Sequence, residues 1–137
     1  MSADPIRVIL ADDHAVVRAG LKAVLGASID IEVIGEAADG EEAVDLAEKL
    51  DPDVVIMDLT MEPMDGASAT REIVARKLRA RVLVLTMHAE DDYLVPALEA
   101  GAAGYGVKDA GDRELVHAVR AVARGEMVIL PSAARIL

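Results

Sequence analysis

The chain has 137 residues, which is the size of a single domain. Its 14 Lys and Arg residues face 25 Asp and Glu residues, so the formal net charge is −11, which argues against direct binding to a nucleic-acid backbone. The absence of Cys excludes disulfides, thiolate nucleophiles and Cys-ligated metal sites. No apolar run approaches the ~20 residues of a membrane span, and the N-terminus lacks the regions of a signal peptide. We therefore expect a soluble, cytoplasmic protein that does not associate with membranes.

Five short aliphatic runs predict β-strands, and their starts lie 22 to 28 residues apart. The predicted strands are Ile6–Ala11, Ile31–Ala37, Asp53–Met57, Arg81–Leu85 and Gly104–Val107. The segments between them carry apolar residues at helical spacing, for example Val17, Leu21, Val24 and Leu25. Strands that alternate with helices in this way indicate an α/β fold with a doubly wound parallel sheet, covered by helices on both faces.

Three features depart from this simple pattern. Pro96 lies inside an apolar segment, so we expect the fourth helix to start late, near Pro96, or to be kinked there. Gly106 stands in the fifth strand, where a side chain normally packs. The apolar stretch that follows Gly125 is expected to be a connector without a further strand–helix unit.

The carboxyl ends of the predicted strands carry the chemistry, because these ends meet at one edge of a parallel sheet. Asp12 and Asp13 follow the first strand, Asp58 the third, Thr86 the fourth and Lys108 the fifth. Each residue alone is compatible with an ordinary cap, turn, strand or surface position. Together, three carboxylates repel one another and require a counter-charge, and oxygen ligands of this kind suit Mg²⁺. A carboxylate beside such a cation can act as a nucleophile towards a phosphoryl group.

The sequence resembles the receiver domain of bacterial two-component response regulators over almost its whole length. The matching motifs are Asp12-Asp13, Asp58-Leu59 with Met61, Met64-Asp65-Gly66, Leu85-Thr86-Met87-His88, Ala100 to Tyr105 and Lys108-Asp109-Ala110. Two of its motif variants, Ala11-Asp12-Asp13-His14 and Leu85-Thr86-Met87-His88, resemble the subfamily whose receivers are joined to a LuxR-type helix-turn-helix DNA-binding domain.

The resemblance implies a flavodoxin-like receiver fold, with a five-stranded sheet in the order 2-1-3-4-5 and five flanking helices. Residues 1–126 would form the receiver domain, and residues 127–137 would start a linker toward an output domain outside this chain. DNA binding and transcription regulation would belong to that output domain alone.

The resemblance also implies a role for each residue at the strand ends. Asp58 would accept a phosphoryl group from a sensor histidine kinase, with no enzymatic activity beyond self-catalysed phosphorylation and dephosphorylation. Mg²⁺, or Mn²⁺ in its place, would bind to Asp13, Asp58 and the carbonyl of Thr60, with Asp12 contributing through water.

Two further roles complete the implied switch. Lys108 and Thr86 would contact the phosphoryl oxygens, and Tyr105 would rotate into the space that Thr86 leaves. Phosphorylation is then expected to favour a homodimer, through either the fourth and fifth helices or the first and fifth helices.

Several residues depart from the family pattern. Glu62 stands where Pro is usual, and Pro63 follows it; Thr60 stands where Asn is frequent. His88 is expected either near the phosphoryl group or in an exposed loop, whereas His14 is expected to be a solvated helix residue that binds no metal.

Three other functions remain compatible with parts of the sequence. A stand-alone or degenerate receiver would act through protein–protein interaction alone. A haloacid-dehalogenase-like phosphohydrolase needs a second Asp where this chain has Thr60. A flavodoxin-like cofactor-binding protein needs a phosphate loop rich in Ser, Thr and Gly after the first strand, and the residues Asp12-Asp13 would repel a phosphate there.

Overall fold

The computed structural model describes residues 4–86, 91–108 and 111–134, without the side chains of 91–94, 132 and 133. Strands and helices alternate throughout. They are β1 (Ile6–Ala11), α1 (Ala15–Gly26), β2 (Ile31–Ala37), α2 (Gly40–Leu50), β3 (Val54–Asp58), α3 (Gly66–Ala75), β4 (Arg81–Thr86), α4 (Asp91–Glu99), β5 (Gly104–Val107), α5 (Asp112–Ala123), β6 (Val128–Ile129) and α6 (Pro131–Ala134). None of the helices in the described ranges is long and apolar enough to cross a membrane.

All neighbouring strands pair in parallel, in the order β2-β1-β3-β4-β5-β6. The predicted order of the first five strands is therefore confirmed, and β6 extends the sheet beyond β5. The chain passes from β1 outward to β2 and then back to β3 on the other side of β1. The carboxyl ends of β1 and β3 thus adjoin at the point where the strand order reverses, which is where open α/β sheets place their sites.

Alternate residues of each strand face opposite sides of the sheet, so the fold has two apolar cores. Ile9 of β1 belongs to the core beneath α2, α3 and α4, whereas Leu10 belongs to the core beneath α1 and α5. Both residues are fully buried. Two helices begin with an Asp cap: Asp39 accepts a hydrogen bond from the N–H of Glu42 at 2.8 Å, and Asp65 accepts one from the N–H of Ser68 at 2.7 Å.

The expectation that no strand–helix unit follows Gly125 is wrong. Val128–Ile129 pairs with β5, and a short helix follows at Pro131–Ala134. Leu130, between the two, is 1% exposed. A Cβ atom on Gly106 would lie 2.6 Å from Cδ2 of Leu130, which explains the glycine in β5: its missing side chain leaves the space that Leu130 fills.

Of the two alternatives expected for the fourth helix, a start near Pro96 is wrong, whereas a kink at Pro96 stays a prediction. The described helix α4 begins at Asp91, and Pro96 lies inside it. The helix tolerates the missing N–H of Pro96 because tertiary packing holds the segment: Ala97 is fully buried against the sheet, and its carbonyl accepts a hydrogen bond from the N–H of Ala102 at 3.1 Å.

Candidate functional site

Three buried charged side chains meet at the carboxyl ends of β1, β3 and β5. The Nζ atom of Lys108 lies 2.7 Å from Oδ2 of Asp12 and 3.2 Å from Oδ1 of Asp58. The exposed fractions of the three side chains are 6%, 3% and 1%, respectively. One ammonium group therefore bridges two carboxylates away from bulk water, where their attraction is strong and an unpaired charge is costly.

Three more polar residues surround this group on its exposed side. Nδ1 of His14 lies 2.8 Å from Oδ1 of Asp13 and 3.2 Å from Oδ1 of Asp12. The hydroxyl of Thr60 lies 3.4 Å from both carboxylate oxygens of Asp58. Ligand atoms of Asp12, Asp13, His14 and Asp58 all lie within 4.8 Å of one another. His14 is solvated as expected, since its side chain is 62% exposed, but it lies just before α1 rather than within it, and its ring borders the acidic group.

Burial changes the protonation behaviour of this site. Desolvation raises the pKa of Asp58, and the nearby carboxylate of Asp12 raises it further, against the opposing effect of Lys108. For Lys108, burial is the largest single effect and lowers the pKa, but the hydrogen bonds and charges of Asp12 and Asp58 together outweigh it and raise the pKa. Lys108 is therefore cationic at neutral pH. Its single positive charge does not fully stabilise the two buried carboxylates.

The backbone around Asp58 is held by a close contact with Gly66, the first residue of α3. The N–H of Gly66 donates a hydrogen bond to the carbonyl of Leu59 at 3.2 Å. A Cβ atom on Gly66 would clash with the carbonyl oxygen of Asp58 and would lie 2.8 Å from its carbonyl carbon. Only glycine allows this approach, so the residue positions the end of β3.

Arg18 of α1 holds the other end of the site. Its guanidinium donates a hydrogen bond to the carbonyl of Asp12 and pairs with Glu36, at the end of β2, at 3.1 Å. The sequence predicted no role for Arg18 and placed Gly66 only in a motif, because the contacts of both residues depend on how helices approach the sheet edge. The sequence shows the Asp65-Gly66 pair before a helical segment, but it does not show that the backbone of Gly66 contacts Asp58.

The other residues predicted for the site either lie beside the acidic group or are outside the residues that the structure describes. Thr86 is 2% exposed at the end of β4, and its carbonyl accepts a hydrogen bond from the N–H of Lys108 at 2.8 Å. Tyr105 is fully buried in β5, in the core beneath α2, α3 and α4. His88 lies outside the described residues. The peptide bond between Glu62 and Pro63, in the loop after β3, is cis.

The donor set fits a divalent cation such as Mg²⁺. Its ligands would be hard carboxylate oxygens, and burial, together with the nearby carboxylate of Asp12, raises the pKa of Asp58, so a bound cation would stabilise the ionised carboxylate. By the resemblance to receiver domains, Asp13, Asp58 and the carbonyl of Thr60 would hold the ion, with Asp12 contributing through water; three of these residues belong to the acidic group.

We expect the substitution Asp58→Asn to stabilise the metal-free protein at pH 8 by about 1 kcal/mol, which raises the Tm of a domain of this size by roughly 2–4 °C. Because the pKa of Asp58 is raised on folding, the unfolded chain ionises first as the pH rises, so ionisation reduces stability. The reduction begins near the ordinary value of 3.8 and is complete above the folded pKa. The advantage of the variant should therefore shrink as the pH falls towards that value.

Urea unfolding followed by far-UV circular dichroism, in the presence of a chelator, measures this difference. The matched control is Asp45→Asn, because Asp45 is exposed on α2 and its replacement should change stability by less than ~0.5 kcal/mol. An Asp58→Asn variant that is less stable than the wild type at pH 8 would contradict the assignment of excess negative charge to this site.

Comparisons with known proteins agree with this geometry. The family model of the response regulator receiver domain matches residues 8–120. The transcriptional regulatory protein LiaR of Bacillus subtilis (strain 168) is 50% identical over 121 residues, which are 88% of this chain and 57% of LiaR. The chain therefore spans little more than half the length of this relative.

Two solved structures extend the comparison to three dimensions. The signal receiver domain of the response regulator NarL from Mycobacterium tuberculosis has a TM-score of 0.88 at 37% identity, covering 90% of this chain and 100% of that one. A LuxR-family two-component response regulator from Aurantimonas sp. SI85-9A1 has a TM-score of 0.90 at 38% identity, covering 96% of this chain and 94% of that one. With a family model matched over most of its length and an acidic group at the expected strand ends, the chain belongs to the response regulator receiver domain family.

Proposed function

We propose that this domain is a phosphorylation-activated signalling switch in which Asp58 accepts a phosphoryl group from a sensor histidine kinase. The observation that carries the proposal is the buried contact of Lys108 with both Asp12 and Asp58. A purely structural ion pair would need one carboxylate, whereas this site keeps a second one whose pKa burial raises. Such an excess of charge is typical of sites that bind a cation and a reacting group.

The chemistry follows from the positions of the side chains. A carboxylate oxygen of Asp58 would form the bond to phosphorus while the bond between phosphorus and the donor, a phosphohistidine nitrogen or an acyl phosphate oxygen, breaks. Bound Mg²⁺, or Mn²⁺, would supply positive charge to the phosphoryl oxygens. Lys108 would hold one of these oxygens through its ammonium group, and the hydroxyl of Thr86 would donate a hydrogen bond to another.

The signal would leave the site through β4 and β5. Thr86 and Lys108 are joined by a backbone hydrogen bond of 2.8 Å, and Tyr105 lies in β5, which ends directly before Lys108. Movement of Thr86 towards the phosphoryl group would let the ring of Tyr105 follow, which changes the face formed by α4, β5 and α5. Two states that differ by one new charged group are sufficient for such a switch.

The partners are proposed from the relatives. LiaR and the response regulator VraR of Staphylococcus aureus are longer proteins, of which this chain covers 57% and 60%. We infer that an output domain beyond residues 127–137 binds DNA and regulates transcription, and that phosphorylation favours a homodimer of the receiver. The chain itself, with a net charge of −11, would not contact DNA.

Incubation with acetyl phosphate and Mg²⁺ tests the proposal. We expect intact-mass spectrometry to show a single addition of about 80 Da in the wild type, lost on removal of Mg²⁺ with a chelator. The Asp58→Asn variant should show no addition, and the exposed control Asp45→Asn should behave like the wild type. If the wild type gains no mass, the domain is a degenerate receiver that acts through protein–protein contact alone.

A further inference from the structure

The edge of β5 is covered by the chain's own C-terminal segment. The N–H of Val128 donates a hydrogen bond to the carbonyl of Ala103 at 3.0 Å, and the N–H of Leu130 donates one to the carbonyl of Tyr105 at 2.9 Å. Without β6, β5 would present a row of unpaired backbone groups, which is a template for pairing with another chain. The segment 128–134 therefore acts as a cover for this edge.

Leu130 is the anchor of this cover. Its side chain is 1% exposed and belongs to the core beneath α1 and α5, although it follows a strand of only two residues. Three of its atoms lie within 3.0 Å of the position that a Cβ on Gly106 would occupy. Val128 and Ile129 also pack against the two cores but are only half-buried, so Leu130 is the most deeply buried contact of the attachment, in the space that Gly106 leaves.

The space filled by Leu130 and the acidic site are both next to β5. Gly106 lies two residues before Lys108, whose ammonium contacts Asp12 and Asp58. Val107, between them, pairs with Thr86. A displacement of Lys108 or Thr86 would therefore move β5 directly beneath Leu130, with no intervening element.

We propose that residues 128–134 form a latch on the edge of β5, which is held by Leu130 over Gly106 and released when Asp58 is phosphorylated. The release rests on the function proposed above, whereas the attachment does not. Release would free the β5 edge for pairing with a second copy of the chain.

Hydrogen exchange with mass-spectrometric detection tests the release. On phosphorylation with acetyl phosphate and Mg²⁺, we expect the amides of Val128 and Leu130 to exchange at least about threefold faster, while amides at the centre of β1 are unchanged. Intact mass is measured on the same samples. If the phosphoryl group is present and the exchange of these two amides is unchanged, the release is wrong and the proposed function stands.

The attachment is tested by substitutions that need no phosphorylation. Gly106→Ala should accelerate exchange at Val128 and Leu130 about tenfold or more, because the added methyl group displaces Leu130. The matched control is Gly20→Ala, since a Cβ on Gly20 in α1 meets no atom within 4 Å. An unchanged exchange rate in Gly106→Ala would overturn the latch.

A double-substitution cycle covers the case in which Gly106→Ala folds poorly. The atoms nearest to the added Cβ all belong to Leu130. In a Leu130→Ala background, Gly106→Ala should therefore shift the urea midpoint much less than it does in the wild type. An equal shift in both backgrounds would show that the contact between Leu130 and Gly106 does not hold the segment, and would overturn the proposal whether or not the domain is phosphorylated.

Discussion

Replacing Lys108 with Met is expected to destabilise the metal-free domain by about 3 kcal/mol at pH 8, because it leaves the carboxylates of Asp12 and Asp58 buried without their cation. Both side chains are at most 3% exposed, so water cannot take over the role of the ammonium group. The folded pKa of Lys108 is raised above 10.5, so its stabilising charge is fully present below that pH and is lost only as the pH rises through the folded value.

The stability that Lys108→Met loses should also depend on pH at the acidic end of the range, where the carboxylates take up protons. The pKa of Asp58 is already raised in the presence of Lys108, and removal of the cation raises it further. As the pH falls, Asp58 takes up a proton in the variant and the difference in unfolding free energy from the wild type narrows. Urea unfolding at pH 8 and pH 5 by circular dichroism measures both values.

The matched control for this substitution is Lys49→Met. Lys49 is exposed in the last turn of α2, and its replacement should change the unfolding free energy by less than ~0.5 kcal/mol. The double variant Lys108→Met with Asp58→Asn should regain part of the lost stability, because one buried charge is then removed. A loss below ~1 kcal/mol for Lys108→Met at pH 8 would show that the three side chains do not form the coupled group described here.

The substitution Gly66→Ala is expected to damage both stability and phosphorylation. The added Cβ would meet backbone atoms of Asp58 and lie 2.9 Å from the Cα of Leu59, and backbone cannot move aside as a flexible side chain can. We expect a loss of about 3 kcal/mol, at the upper end of overpacking effects. Because the displaced atoms carry the phosphoacceptor, the rate of phosphorylation by acetyl phosphate should fall by roughly 10²-fold.

Gly20→Ala serves as the control for this substitution as well, since it adds the same methyl group where there is open space. It should be neutral or slightly stabilising, because Ala favours a helix over Gly by about 1 kcal/mol. The rate is measured at a temperature and denaturant concentration where the Gly66→Ala variant is folded. A variant that is destabilised but phosphorylated at the wild-type rate would disprove the positioning role of Gly66 and leave it only a packing role.

The acidic site could be predicted from the sequence because it depends on topology rather than on detail. Strands at a regular spacing predict a parallel sheet, and the carboxyl ends of such a sheet bring Asp12, Asp58 and Lys108 to one edge. The structure places Lys108 in contact with both carboxylates. The same rule could not predict that the exposed ring of His14 borders the site, because His14 lies three residues past the end of β1, where the strand pattern no longer sets the direction of a side chain.

The C-terminal segment contains a strand that sequence patterns do not predict. A two-residue strand carries no recognisable period, so Val128–Ile129 resembled a connector in sequence. Two signals were nevertheless present: Val128 follows Gly104 by 24 residues, within the spacing of the earlier strands, and Gly106 interrupts β5. Neither signal specifies that Leu130 fills the space that Gly106 leaves, because that contact depends on tertiary packing.

Pro96 illustrates a different limit. Local propensity predicts that a proline begins or breaks a helix, but α4 continues through it. The buried position of Ala97 shows that packing against the sheet decides the outcome. Sequence patterns therefore identify the elements and the site in this fold, whereas the positions at which tertiary contacts override local preference require the structure.

Asp58 is the residue that we propose receives the phosphoryl group. The most direct test of this assignment is to treat the wild type with acetyl phosphate and Mg²⁺, digest it at low pH to preserve the acyl phosphate, and locate the added ~80 Da by tandem mass spectrometry. We predict that the added mass lies on Asp58 and depends on Mg²⁺. A phosphoryl group found on any other residue, or none on the folded wild-type protein, would contradict it.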